Sequence, residues 1–525
     1  MAHRRCSRSA ARPLLAMRSQ TMELLLGIDL GTSFIKVGVF TPLGEAVALR
    51  QTPTPLHRTG PTQGHYLAGE LWGGVAEITR GLMGEIADPE RLVAIGISSF
   101  GESGVLLGRD GGLRHPEVMV WYDERPRPIL ERLSQNTPAL NPARLRRRTG
   151  LLPDSTYSLG KLLWLRAEHP ELFQDRPRWT SVADWIAFRL TGRLQMGFTQ
   201  ASRTLLFDLR KHRWMEDLVL AVGLHPDLLA PLRPPGAPIG YVTQQAAQQT
   251  GLRPGLPVME AAHDQTCAAA GLGALEAGDI INACGTAETL LQIVGTAHLG
   301  EALRSTTAIV GHHALAGRYY LMATLRASGS VFDWWVRTLA AEGESPALLY
   351  PRVIQAAFGV PLGAEGLRFI PHLRQLTDNP GDPTLPGGVF WGLRESHGPG
   401  HFTRAVLEGL SFESYRLLQR LPGIKPVGPI RAVGGPTANA VWMQVKAEML
   451  GKPLEVYESP QAAAWGAAYL AWRHLRGRAV RAGGLKPHAR FIPYQPEAAA
   501  RLRQSYTRTL DALAQAQASL AEEDA

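Results

Sequence analysis

One local pattern constrains this chain more than any other: a strand, a Gly-Thr turn and a second strand, written twice. The first copy runs over residues 24–29, turns at Gly31-Thr32-Ser33 and continues over 34–41; the second runs over 279–284, turns at Gly285-Thr286 and continues over 287–294. Apolar and β-branched runs supply the strands, and small polar residues supply the turns. From Gly31 to Gly285 is 254 residues, about half of the 525 in the chain. Self-similarity at that period predicts two halves of one α/β architecture rather than a solenoid. Only the first copy ends its strand on an aspartate, Asp29; the second has Ala283 there.

The rest of the pattern fits mixed sheets. A third strand at 46–51 completes a meander. Leu71, Val75, Ile78 and Leu82 have helical spacing and predict a helix over 70–86, followed by a buried strand at 92–98. The stretch 125–250 reads as helix-rich, with helices over 154–167 and 181–191, the second ending at Gly192. A strand at 258–262 leads into His263-Asp264-Gln265 and a helix of small residues. The second half predicts helices over 328–341, 401–421, 437–450 and 461–473. It also predicts strands at 430–433 and 454–457, a Gly/Pro-rich loop over 371–388 and an amphipathic helix over 491–525.

Composition removes several function classes. With 45% hydrophobic and 19% charged residues, the chain is neither disordered nor fibrous. No apolar run reaches the roughly 18–20 residues of a membrane span, so no membrane role is expected. Three cysteines (Cys6, Cys267, Cys284) make no disulfide framework and no zinc spacing, and a reducing cytoplasm is the expected compartment. Of the formal charge of +9, five units sit on Arg4, Arg5, Arg8, Arg12 and Arg18 in an acid-free leader. The body carries no basic stripe, and nucleic acid is not expected as a partner. Residues 1–21 lack the apolar stretch of a secretory signal. They read as a transit-like segment or, preferably, as a lead-in before a start at Met17 or Met22, and are set outside the fold.

A Gly-Thr/Ser turn between strands aims consecutive backbone N–H groups and hydroxyls at one spot, an anion cradle that needs no lysine. An ordinary β-turn uses the same residues. Other nucleotide schemes are absent: none of the seven lysines stands in a Walker loop, and no G-x-G-x-x-G follows a strand.

Five segments, in order, resemble the FGGY carbohydrate kinases, the family of xylulokinases, ribulokinases and glycerol kinases. Gly27-Ile28-Asp29-Leu30-Gly31-Thr32-Ser33 with Lys36 is similar to the first phosphate motif, and His263-Asp264-Gln265 to the catalytic segment. Residues 279–290, with Gly285-Thr286, resemble the second phosphate motif. Residues 388–393 followed after seven residues by 401–408 resemble a signature that ends on Glu408. Gly434-Gly435-Pro436-Thr437-Ala438-Asn439 resembles the adenosine-contacting turn.

The resemblance implies two ribonuclease H-like domains of the actin/hexokinase type with a cleft between them, over 22–271 and 272–490, followed by a helical tail over 491–525. It implies an ATP- and Mg²⁺-dependent kinase acting on a primary hydroxyl of a ketose, xylulose-like; a polyol kinase of glycerol or erythritol type and a non-catalytic actin-like nucleotide switch are the alternatives. Asp264 is then the general base and Asp29 the Mg²⁺ residue. Thr32, Ser33, Lys36, Gly285, Thr286, Gly329, Gly434, Gly435 and Asn439 form the nucleotide set. Glu102, Trp121, Asp123, Arg125 and Gln265 form the sugar set. Asp264, at a helix start, is expected to cap that helix and to stay ionised at neutral pH. Glu102 is expected to offer its carboxylate to sugar hydroxyls, because the chain has neither the Gln-Met-His of xylulokinases nor the Arg-Glu pair of glycerol kinases at that place. Glu288 is expected to be a solvated strand residue. A small-molecule sugar is the expected partner, with a homodimer as the assembly considered.

Overall fold

β1 (Leu24–Leu30) is buried at every position, as a strand with neighbours on both edges and a layer on both faces must be. It pairs antiparallel with β2 (Phe34–Phe40), which pairs antiparallel with β3 (Ala46–Pro53): the expected meander. After α1 (Ala68–Glu85), whose Leu71, Val75, Ile78 and Leu82 all turn inward, β4 (Leu92–Ser99) lies parallel against the other edge of β1. α2 (Val182–Thr191) begins on the Ser181 side chain and stops at left-handed Gly192. β5 (Pro257–His263) adds parallel to β4 and runs straight into α3 (Asp264–Gly271). The order is β3-β2-β1-β4-β5, with the short strand Gly240–Tyr241 on the β5 edge.

The second half repeats this layout. β6 (Ile280–Cys284) pairs antiparallel with β7 (Glu288–Val294), and β7 with β8 (Tyr319–Leu325). α4 (Gly329–Leu339) and α5 (Pro399–Gln419) precede β9 (Ile430–Val433), which is parallel to β6; after α6 (Ala440–Leu450), β10 (Leu454–Val456) adds parallel to β9. The order β8-β7-β6-β9-β10 is that of the first sheet, so the two Gly-Thr turns occupy equivalent places and the sequence repeat is architectural.

This computed structural model describes residues 22–297, 300, 303, 306–326, 328–341, 344–373, 387–422, 427–458, 461–477 and 485–523. The expectations for residues 1–21 and for most of the loop 371–388 fall outside them. Two compact units divide the chain: residues up to Gly273 with His312–Ala316 and Gln461–Leu485, and Ala274–Gly311 with Gly317–Pro460 and Lys486–Ala525. Among the described residues no helix is long and apolar enough to cross a membrane.

α7 (Ala462–Arg476) lies in the chain between β10 and the last strand of the second sheet, Ala489–Phe491, yet belongs to the first unit. Gly27 on β1 and Gly96 on β4 leave bare backbone where it lies: a Cβ on either would collide with the carbonyl of Ala464 or Ala467. Gly271 of α3 and Gly466 of α7 do the same between the helices, against the carbonyls of Ala462 and Cys267. α8 (Pro496–Glu523) completes the second unit, where Tyr506 stacks on Phe412 at 4.9 Å beside Val445 and Met449.

The helix expected from 491 begins at Pro496, because Ala489–Phe491 is a strand paired antiparallel with β10, and two other helix starts differ for local side-chain reasons. The helix expected from 154 begins at Ser158, because the Asp154 carboxylate accepts the Thr156 N–H at 2.8 Å and stabilises a turn. The helix expected from 437 begins at Ala440, after a 3₁₀ turn over Gly435–Ala438, with Asn439 as its cap.

Gly96→Ala forces a methyl group into the backbone of α7. It is expected to cost about 1–3 kcal/mol or more, seen as a lower urea midpoint at unchanged slope. Gly84→Ala, on exposed helix with nothing within 4 Å, is expected to stabilise by about 0.5–1 kcal/mol.

Candidate functional site

Three parallel strands, β1, β4 and β5, end at one edge of the first sheet, with Asp29 in register with Ser98 and Ser99 in register with His263. Ligand sites of open α/β sheets form at such carboxyl ends. Asp29 is 4% exposed, and its Oδ1 has no hydrogen-bond partner. Burial pushes this carboxyl up from its ordinary value, against the opposing pull of Lys36, directly across on β2, and of the Ser98 hydroxyl.

Asp264 is the first residue inside α3; the cap position expected for it belongs to His263. Its side chain keeps 27% of its surface open on one side, while the protein closes round the rest. That enclosure, then the charges of Asp29 and Glu102, push the carboxyl up to about 8, overriding the backbone N–H of Gln265. The expectation that the helix start would keep it ionised at neutral pH is corrected: desolvation plus like charge exceeds one turn of helix dipole. His263, buried, has its Nε2 3.3 Å from Asp264 Oδ1, and burial and the Arg203 charge hold it neutral. Gln265 is half-buried beside it.

Glu102 does not offer a free carboxylate. It sits at a positive φ of 66°, and its Oε1 accepts from Arg203 Nε at 2.6 Å, both side chains 6% exposed. The Arg203 guanidinium also lies over the Tyr157 ring, 5.3 Å from its centroid. An Arg–Glu pair therefore exists, assembled from residues 101 apart, where sequence reasoning found none. The sequence carried little signal for it: Arg203 stands in a mixed polar and apolar stretch, 196–209, which only the fold buries throughout.

Asp123 and Arg125 are bonded to each other. Asp123 is fully buried and accepts from the Gly64 N–H at 3.1 Å and from Arg125 Nη2 at 2.9 Å, while Arg125 stacks on Trp164 at 4.6 Å. Trp121 is 39% exposed and aims its indole N–H at Thr32 Oγ1, 3.4 Å away. Beneath it lies Lys161, which the sequence analysis passed over: fully buried, it donates to the carbonyls of Trp121 and Thr156, and burial lowers it to about 8. Thr32 is half-buried and Ser33 exposed, with their loop held by Tyr66, whose hydroxyl donates to the Thr32 carbonyl at 3.2 Å.

In the second unit, β6 and β9 end side by side, which brings Gly285 and Gly434 to one edge. Gly434, at φ 116°, has no room for a Cβ against the Cys284 carbonyl. The N–H groups of Gly329 and Ser330, opening α4, donate to the carbonyls of Gly285 and Thr286, both at 3.1 Å. Thr286, Gly434 and Gly435 are exposed. Asn439 caps α6 through Oδ1 to the Trp442 N–H at 3.0 Å, leaving its buried Nδ2 without a partner. Glu288, expected in solvent, is fully buried against Lys446, Oε2 to Nζ 2.8 Å. Glu408 is also fully buried and accepts the Gly363 N–H at 2.7 Å, and burial pushes it up to about 7. Among the described residues no three His, Cys, Asp or Glu side chains gather as a metal cage.

The chain matches the FGGY family of carbohydrate kinases, N-terminal domain over residues 24–271 and C-terminal domain over 281–475. The xylulose kinase of Bacillus subtilis (strain 168) is 27% identical over 463 residues, 86% of this chain and 88% of its own length. The L-fuculokinase of Salmonella typhi is 31% identical over 386 residues, 72% and 76% of the two chains. The glycerol kinase of Ralstonia nicotianae is 30% identical over 464, 86% and 89%. In three dimensions, xylulose kinase from Rhodospirillum rubrum superposes with a TM-score of 0.84 at 23% identity, covering 94% of this chain and 99% of that one. Gluconate kinase from Lactobacillus acidophilus superposes at 0.83 and 24%, covering 94% and 98%.

A carboxyl that binds its proton more tightly folded than unfolded makes stability fall as pH rises between the two pKa values. The unligated chain is therefore expected to lose thermal stability from pH 6 to 8, and Asp264→Asn to reduce that loss and melt higher than wild type at pH 8. Arg203→Met, which strands Glu102, is expected to cost about 3–5 kcal/mol in urea denaturation.

Proposed function

The chain belongs to the FGGY family of carbohydrate kinases, phosphotransferases with an alcohol acceptor, and on that premise we propose that it transfers the γ-phosphoryl group of ATP to a primary hydroxyl of a ketose, a pentulose or hexulose of xylulose type. The observation that carries the reading is Asp264 beside Asp29 at one sheet edge, its pKa raised into the working range of a general base. Asp264 takes the proton of the attacking hydroxyl as its oxygen bonds to the γ-phosphorus and the bridge to ADP breaks. A looser, metaphosphate-like transition state leaves positioning and charge neutralisation as the main tasks.

Asp29 suits Mg²⁺. Its Oδ1 is buried and bonded to nothing, and the lack of a protein cage matches an ion that keeps several waters and uses substrate phosphates. Mg²⁺ held there supplies neutralisation of phosphate charge. Thr32, Ser33, Gly285 and Thr286 receive phosphate oxygens, with Lys36 adding positive charge opposite Asp29. Gly329, Gly434, Gly435 and Asn439 hold the nucleoside end. Trp121, Gln265 and the Glu102–Arg203 pair, acting as one unit, face the sugar; Asp123 and Arg125 serve by fixing the Trp121 loop, since each already spends its hydrogen bonds on the other.

A second reading, a polyol kinase of glycerol type, is favoured by the buried Glu102–Arg203 pair and by the glycerol kinases among the relatives. Family membership sets aside the non-catalytic switch.

A coupled ADP-release assay with Mg²⁺-ATP over ketoses and polyols tests this. Highest kcat/KM on a pentulose or hexulose supports the first reading, on glycerol or a tetritol the second, and turnover of neither class defeats both. Asp264→Asn is expected to lose about 10²–10⁴-fold in kcat with nucleotide binding retained. Because the base must be deprotonated, kcat/KM for the sugar is expected to fall with decreasing pH along a limb well above the usual carboxylate range.

A further inference from the structure

The second unit buries a charge pair that the mechanism above leaves idle. Glu288 and Lys446 are both 0% exposed, although each would be hydrated at far lower cost on the surface. Burial pushes the Glu288 carboxyl up, but the Lys446 ammonium, with its hydrogen bond, outweighs that and holds it below its ordinary value. What distinguishes the pair is the set of elements it joins. Glu288 opens β7 immediately after the Gly285-Thr286-Ala287 turn, in register with Cys284 across the hairpin mouth. Its Oε1 accepts from Asn282 Nδ2 on β6 at 2.9 Å, and its Oε2 from Ser328 Oγ at 2.9 Å, the residue just ahead of α4. Lys446 stands on α6, two turns from Asn439, and also reaches Asn282 Oδ1 at 3.5 Å and Cys284 Sγ at 3.6 Å.

The three backbone segments so joined are those that touch at the sheet edge: the 285–287 turn, the start of α4 through Gly329 and Ser330, and the Gly434 turn against Cys284. We propose that the Glu288–Lys446 pair, with Asn282 and Ser328, is a positioning device that sets the spacing of these three segments for the phosphate and nucleoside ends of a nucleotide. Both groups act through backbone; neither touches a ligand. An apolar pair would fill the same volume but could not direct Ser328 and Asn282, so the turns would lose their relative placement while the core stayed packed.

The inference rests on the reading that these turns hold ATP, and the test separates the two. Glu288→Gln, Lys446→Met and the double variant Glu288→Leu/Lys446→Met are made in the full chain. Each is followed by thermal melting, calorimetric ADP binding, and separate KM values for Mg²⁺-ATP and for the sugar found in the screen. The expected result is a rise of about tenfold or more in ADP Kd and ATP KM at unchanged sugar KM. The double variant, which keeps no buried unpaired charge, is expected to fold with a near wild-type melt and to keep the nucleotide defect. A folded double variant that binds ADP as wild type does overturns the positioning role while leaving the nucleotide reading intact. A wild-type chain that binds neither ADP nor ATP overturns both. Equal rises in sugar KM and nucleotide KM would mean general loosening and would also defeat the proposal.

Discussion

Two carboxyl groups withdrawn from water at the ends of parallel strands, Asp29 and Asp264, set the terms for the rest of the first unit. Burial raises both, and the charge of Asp29 adds to the cost of charging Asp264. A fold tolerates this only where its scaffold is stable without them. Here the stabilising contact is bare backbone on bare backbone: Gly27 and Gly96 against α7, and Gly271 against Gly466. Larger residues at those points would lift α7 off β1 and β4, the strands that bring Asp29 and Ser98 together. Strained electrostatics at the strand ends and dense packing behind them are thus two sides of one arrangement.

The duplicated architecture puts different chemistry on equivalent edges. The first sheet ends in Asp29 and runs into Asp264, so its edge is acidic and suits a cation and a proton acceptor. The second has Ala283 at the matching position and presents turns whose Thr286, Gly434 and Gly435 are exposed. The acid it does carry, Glu288, is neutralised internally by Lys446. An edge whose buried acid is neutralised and whose turns expose glycine and threonine suits an anion. Duplication supplied the geometry twice; single substitutions at the strand ends divided the work.

Most of the frame was legible in the chain itself. β1 to β3, β6 and β7, α1, α2 and α5 follow from alternation, helical spacing and caps within a few residues of one another, and those local rules hold because the interactions behind them are local. Misjudged helix starts, at 154 and 437, came from side chains that can bond either a helix terminus or a turn, as Asp154 does. The two Gly-Thr turns also landed at sheet edges, since a turn between strands has nowhere else to go, whereas Glu408 lies buried within α5. The commitment of Asp123 and Arg125 to each other was invisible without their positions in space.

What the sequence determined by itself is the family, the repeat and the identity of the groups that end each strand, because these depend on residue order over short spans. What only the tertiary structure decided is which charges meet. Arg203 reaches Glu102 across 101 residues, and Lys446 reaches Glu288 across 158. The ionisation of Asp264 was likewise set by how much water the fold removes and which charges it brings near. Solvation and Coulomb energy depend on distance through space, and separation along the chain carries no record of it.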